Sequence, residues 1–315
     1  MPKVSIIMNC YNGEKYLKEA INSIYAQTFK DWEIIFWDNA STDSSKEIAK
    51  SYDNKLRYFH SKDNYSLGKA RRLAMEQAEG EWVGFLDVDD LWYPNKLETQ
   101  IKELDRGKYI LCYAGIREIN PNGSLIREII PRYKSGWQLK GLLLQFDINM
   151  VTPLINKEIL DRSGICFDDY IVSSEEYDLF MRLAAKGKFC TLSKVLGAYR
   201  VSSDSLTDRS IKHWYSDRIR TLDKLKRENP GLELRFKKEF EAAYIRGRYF
   251  YSRYLMAIEN KYEAKKVLSD IKHSDWRYYA LWIISHVKFL WNIIHSQFFK
   301  RKFLPRLLKI TKSPK

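Results

Sequence analysis

Cysteine is scarce: four residues (Cys10, Cys112, Cys166 and Cys190) are scattered through the chain, and no two stand in CxxC spacing. That spacing argues against a cysteine-built zinc site and against a disulfide scaffold, and it fits a reducing compartment. No low-complexity tract occurs. The opening MPKVSIIMNC holds too short an apolar run for a signal peptide, so a cytoplasmic location is expected. What is there is globular. The 315 residues are 45% hydrophobic, 30% charged and 14% aromatic, with 21 Tyr and 9 Trp. A chain of this length holds one large domain plus a smaller one.

The net charge of +14 is unevenly spread. Residues 1–204 carry 28 Lys and Arg against 29 Asp and Glu, whereas residues 205–315 carry 26 against 11. A basic C-terminal third facing a membrane or a nucleic acid is one reading. A solvated, Lys-rich helical surface is the other.

Apolar segments at 3–8, 32–37, 56–61 and 82–88 read as strands, and amphipathic segments at 15–27, 43–52 and 66–79 read as helices. The alternation predicts βαβ units and a largely parallel, Rossmann-like sheet, whose ligands sit at the carboxyl ends of the strands. Asp38 and Asp87 both fall at such ends and should converge. Past residue 205 strand signals vanish, and Leu232–Ala257 with Lys261–Lys272 suggests a helix hairpin.

FLDVDD (85–90) places three carboxylates just after an apolar strand. If the strand stays extended, Asp87 and Asp89 point the same way. Two such carboxylates repel unless a cation or proton lies between them. A hard ion, Mg²⁺ or Mn²⁺, shared with substrate phosphates satisfies that need. The plainer alternative is Asp90 as cap of the helix that Pro94 helps start.

FLDVDDLWYPNKLETQ (85–100) resembles the metal-binding segment of glycosyltransferase family 2, whose members have the GT-A fold. Further segments similar to that family follow the same order: VSIIMNCYNGEKYL (4–17), WDNASTDSS (37–45), NYSLGKARRLAMEQAEGEW (64–82), SSEEYDLFMRLAAKG (173–187) and LGAYRVSSDSLT (196–207). Asn9 and Cys10 stand where Pro and Thr are more usual, and Ser66 stands at a usual glycine position. The resemblance covers residues 3–207 and implies a catalytic domain over 1–207, followed by a basic, aromatic-rich helical region over 208–315.

The resemblance implies an inverting transferase. It would move a sugar from a nucleotide-diphosphate donor, UDP by analogy, to a hydroxyl of a glycan or lipid-linked acceptor, in surface polysaccharide synthesis. Asp38 would accept a hydrogen bond from the base, with Tyr11 and Asn12 lining the base and ribose pocket; a helix cap is the alternative for Asp38. Lys69 and Arg71 would face the donor, or else form surface ion pairs. Asp87 is assigned to ribose and metal and Asp89 to metal, as Mn²⁺ or Mg²⁺. Glu176, then Glu175, is the expected catalytic base, with Asp178 as a cap or backbone ligand. Many relatives carry a histidine two residues after the YR pair. Here Tyr199–Arg200 is followed by Val201 and Ser202, and His60, His213, His273, His286 and His295 lie elsewhere. Ser202 or water is left as the substitute ligand. Because of these departures, a catalytically impaired relative that binds glycans or partners is the alternative function.

Residues 278–299 read as an amphipathic helix: Ser285, Lys288, Asn292, His295 and Ser296 recur at three and four residues. Seven Lys or Arg follow between Lys300 and Lys315. The pattern suits an anionic membrane surface at the inner face of the cell membrane, or an apolar face packed on the protein's own core. No nucleic-acid-binding motif appears, so no nucleic-acid partner is expected.

Overall fold

The computed structural model describes residues 1–201 and 211–296. The chain forms two compact units that divide between Ala243 and Tyr244. The first unit therefore continues well past the boundary expected after residue 207.

In the first unit the chain runs β1 (Val4–Cys10), α1 (Glu14–Tyr25), β2 (Trp32–Asp38), α2 (Ser45–Lys50), β3 (Leu56–His60), α3 (Leu67–Met75), β4 (Trp82–Phe85), β5 (Leu91–Trp92) and α4 (Lys96–Arg106). It continues with β6 (Leu111–Ile119), β7 (Leu125–Ile129), α5 (Leu139–Leu144), β8 (Leu154–Asn156), α6 (Lys157–Ser163), α7 (Glu175–Ala184), β9 (Phe189–Arg200) and α8 (Trp214–Glu228). One mixed sheet has the order β3-β2-β1-β4-β8-β6-β9-β5, with β7 on β6. The first four strands of that order are mutually parallel, as the βαβ alternation requires.

These strands are apolar on both faces because helices cover both. Leu17, Ala20, Ile21 and Ile24 form the buried stripe of α1, at helical spacing. They join Val4, Ile6, Met8 and Cys10 of β1 and Leu97, Ile101 and Leu104 of α4 in one core. On the opposite face of β1, Ser5 Oγ donates to Glu33 Oε1 at 2.6 Å and accepts from Gly80 N at 2.7 Å. That network seats the turn after α3. α7 is buried along most of its length, and α8 is tied to it by ions. Asp178, wholly buried, accepts from Thr221 Oγ1 (3.1 Å), Lys224 Nζ (3.3 Å) and Arg182 Nη1 (3.3 Å). Asp178 thus anchors a helix pair, where the sequence suggested a cap or backbone role.

The second unit holds the later part of α10 (Lys237–Ala257), after a short α9 (Leu232–Arg235), then α11 (Lys261–Ile271), α12 (Trp276–Ile284) and α13 (Lys288–His295). Its core gathers Leu255, Met256, Ala264, Leu268, Ile271 and Trp291. Of the single tail helix expected over 278–299, the described part, to residue 296, is two helices. Ser285 Oγ turns back onto Trp282 O at 2.6 Å, and Val287 adopts φ −118°, ψ 98°, outside the helical region. Among the described residues, no helix is long and apolar enough to cross a membrane.

Candidate active site

Three strand ends build one rim. Asp38, the last residue of β2, lies in register with Cys10 at the end of β1. Leu86 N donates to Ile7 O at 3.0 Å, so Asp87 follows two residues beyond the last β1–β4 pair, Ile7 with Phe85. Asp38 and Asp87 therefore occupy the same carboxyl edge, two strands and about 10 Å apart.

The Asp38 side chain is buried and fully engaged. Tyr58 Oη donates to Oδ2 at 2.6 Å, His60 Nδ1 lies 3.3 Å from the same oxygen, and Ser41 N donates to Oδ1 at 2.8 Å. Burial pushes its carboxyl up, but the bonds from Tyr58, Ser41 and His60 together outweigh that and hold the pKa below the usual value. It does not cap α2, which begins at Ser45 after Ser44. The loops after β1 and β2 are laced together. Asn12, at φ 53°, receives Thr42 N on Oδ1 (2.8 Å), and its own N–H donates to Ser41 Oγ (3.0 Å). Tyr11 beside it is exposed. A Cβ at Gly13 would sit 2.8 Å from Val88 Cγ2, so the absent side chain lets this loop close on the acidic turn.

That turn differs from the expected extended run. β4 ends at Phe85, and Asp90 N donates to Asp87 O at 3.0 Å, closing a turn over Val88–Asp89. The same-face argument for Asp87 and Asp89 therefore does not apply; the turn and its anchors set their directions. The principal anchor is Arg200, at the end of β9. Its Nε donates to Asp89 O (2.8 Å), its N–H to Asp90 Oδ1 (2.8 Å), its Nη1 to Pro121 O (3.0 Å) and its Nη2 to Glu19 Oε2 (2.8 Å). Asp90 thus serves the turn, and α4 takes Asn95 as its N-cap.

Arg71 of α3 crosses from this rim to α7. The residue is 3% exposed; Nη2 donates to Asp87 Oδ1 and Oδ2 (2.8 and 3.2 Å) and Nη1 to Glu175 Oε1 (2.8 Å). Burial alone would favour a neutral guanidine, but the charges of Asp87 and Glu175 outweigh it and keep the cation. Lys69 instead lies over the Tyr65 ring, 3.8 Å from its centroid. Ser66, at the usual glycine position, caps α3 by accepting from Lys69 N at 3.4 Å. The segment leading into α7 is held by Asp217 of α8, whose Oδ2 accepts from Val172 N (3.2 Å), Ser173 N (2.8 Å) and Ser173 Oγ (3.0 Å).

Two carboxylates are left uncommitted. Among the described residues, no other side chain bonds the carboxylate of Asp89 or of Glu176. Burial, and then the Asp87 charge, raise the Asp89 pKa to about 6. Burial and the Glu175 charge raise Glu176 to about 7. Glu175 is itself pushed up by burial, with Arg71 offsetting part of the effect.

Among the described residues, no group of three or more His, Cys, Asp or Glu side chains comes together as a metal cage. Asp89 beside Asp87 nevertheless fits a hard cation shared with phosphate oxygens, because their repulsion is what such an ion relieves. Ser202, the substitute ligand, lies outside the described residues, as does the basic run from Lys300 onward. Sequence reading missed Tyr58, His60 and Asp217. The first two had a signal, since alternation along LRYFH places both on the face of β3 that the register sets beside Phe36 and Asp38.

Residues 5–161 match the family described as glycosyl transferase family 2. An uncharacterised glycosyltransferase of Rickettsia typhi is 32% identical over 216 residues, 67% of each chain. The UDP-Glc:α-D-GlcNAc-diphosphoundecaprenol β-1,3-glucosyltransferase WfgD of Escherichia coli is 26% identical over 212 residues, 66% of this chain and 81% of that one. The chain spans 34% and 27% of the length of the long Rickettsia felis and Rickettsia bellii relatives it also matches. In fold it is similar to S. aureus TarS 1–349 in complex with UDP-GlcNAc, with TM-score 0.67 and 21% identity over 96% of this chain and 93% of that one. It also resembles the mannosyltransferase PcManGT of Pyrobaculum calidifontis in complex with GDP-Man and Mn²⁺, with TM-score 0.53 and 15% identity over 93% and 86%. The expected architecture, a GT-A-like sheet followed by helices, is thereby shown, and the chain belongs to glycosyl transferase family 2.

Proposed function

We propose that this chain is an inverting glycosyltransferase that uses a nucleotide-diphosphate sugar, a UDP-sugar first, with Glu176 as catalytic base. The observation that carries the reading is the Arg71 bridge. One buried guanidinium joins the acidic turn to the start of α7 and commits Asp87 and Glu175, while among the described residues no other side chain bonds the carboxylate of Asp89 or Glu176. In this reading Tyr11 and Asn12 take the base and ribose at the end of the rim that buried Asp38 holds in shape, Arg71 acts by holding Asp87, and Lys69 would have to leave the Tyr65 ring to reach the diphosphate.

In the reaction the acceptor oxygen attacks the anomeric carbon as the bond to the diphosphate oxygen breaks. The acceptor proton passes to Glu176, and the nucleoside diphosphate leaves with the electron pair, inverting the centre. A divalent cation at Asp89 and Asp87, when bound, supplies charge compensation for the leaving diphosphate. Glu176 suits the base role because its raised pKa, about 7, matches a proton acceptor working near neutrality. The acceptor we favour is a lipid-linked glycan in surface polysaccharide synthesis, met at the inner face of the cell membrane. WfgD, whose name gives a diphosphoundecaprenol acceptor, and the basic C-terminal region support that choice.

A donor screen by thermal unfolding tests the donor class. A ligand at about one hundred times its Kd adds about 2.7 kcal/mol to stability, so a UDP-sugar with Mn²⁺ should raise the Tm by several degrees. A dTDP- or GDP-sugar giving the larger shift would change the donor. No shift with any nucleotide sugar would overturn the reading.

A further inference from the structure

We infer that α12 and α13 form an interfacial docking surface for an anionic lipid bilayer. α12 rests Tyr278, Leu281, Trp282 and Ile284 on the core of the second unit without fully burying any residue, and α13 fully buries Trp291 alone, so each helix keeps an outer face in water. A helix that leaves its apolar side chains in water needs another partner for them. Trp276, Tyr279 and Ile283 on α12, Val287 at the break, and Leu290 and Ile293 on α13 are all exposed, at three- and four-residue steps within each helix. Trp276 is 78% exposed, and Phe289 is 72% exposed.

Charge selects the occupant. From residue 276 to the C-terminus the sequence holds nine Lys and Arg and no Asp or Glu. Two of these cations, Arg277 and Lys288, stand at the starts of the two helices and are paired with Asp275 (2.8 Å) and Glu259 (2.5 Å); the other seven follow in sequence from Lys300 onward, outside the described residues. An anionic leaflet offers hydrocarbon for the exposed apolar side chains and phosphates for the seven Lys and Arg that follow them in the sequence with no intervening acid. Trp and Tyr suit the headgroup level, where one end of the ring is dry and the other wet. Neither helix is long enough to cross a bilayer, so the pair lies in the interface plane.

The inference deepens the reading of a lipid-held acceptor, but its test does not depend on catalysis. The full-length chain is sedimented with phosphatidylcholine vesicles containing about a quarter phosphatidylglycerol, and with pure phosphatidylcholine vesicles. The double variant Ile283→Glu, Phe289→Glu is treated alike, after its melting transition is checked against the parent protein. Both positions are exposed, so the variant should fold. The expected result is binding to the anionic vesicles, weaker by about tenfold or more with neutral lipid or with the variant. Equal binding by the variant, equal binding to both lipids, or a parent chain that stays in the supernatant overturns the inference. A dimer of the parent chain that the variant abolishes would assign the face to a second copy instead. Failure here leaves donor binding untouched, and failure of donor binding leaves vesicle binding standing.

Discussion

Glu176→Gln should lower kcat by about 10²–10⁴-fold, the range for losing a general base, while donor affinity stays within a few-fold of the parent. The amide keeps the shape of the side chain but cannot take the acceptor proton. The pH profile carries a second, independent signature. Burial and the neighbouring Glu175 charge raise the Glu176 pKa to about 7. The base works only when deprotonated, so kcat should climb as pH rises through about 7 and then level. The limb should disappear in the variant's residual rate. Glu175→Gln would not reproduce that loss of the limb, because Glu175 is bound to Arg71 at 2.8 Å. Parent-like kcat in Glu176→Gln, or an unchanged limb, would remove Glu176 from the base role.

Arg71→Met should destabilise the first unit by about 3–5 kcal/mol, the cost of removing one partner from a buried ion pair. Asp87 and Glu175 would then face each other with no cation between them. The Glu175 side chain is 7% exposed and bears the larger cost; Asp87, at 37%, is partly screened by water. The sign of the pH effect follows. Protonation of Glu175 removes its need for a counter-charge, and its pKa is already raised by burial. The deficit should therefore be greatest near neutral pH and shrink as pH falls toward 5. Arg71→Lys restores the charge without the fork that reaches both carboxylates, so it should recover only part of the stability. Chemical denaturation of the three proteins at two pH values measures this. A deficit that does not change with pH would mean packing, not charge, dominates at Arg71.

Much of this was legible in the sequence because the N-terminal half obeys short-range rules. The apolar runs of β1 to β4 and the periodic stripes of α1 and α3 mark their own ends, so Asp38 and Asp87 could be placed on one rim. The acidic turn was not legible. Its shape depends on Arg200, which reaches Asp89 O and Asp90 from more than a hundred residues away. No local spacing encodes that contact. Asp178 and Asp217 were obscured for the same reason, since Asp178 is met by Thr221 and Lys224 of α8, and Asp217 of α8 holds Val172 and Ser173 in the segment before α7. The break between α12 and α13 is a local event that periodicity overlooked: hydroxyl competition at Ser285 and an extended Val287 interrupt an otherwise continuous helical pattern.

The most direct test is release of UDP from a panel of UDP-sugars in Mn²⁺, comparing the parent chain with Asp89→Ala. Removing Asp89 relieves its repulsion with Asp87, so the variant should fold at least as well as the parent. Measurable release by the parent, reduced by about 10²-fold or more in the variant, is the predicted result. Release that survives Asp89→Ala undiminished, or a folded parent chain that turns over no nucleotide sugar, would contradict the account.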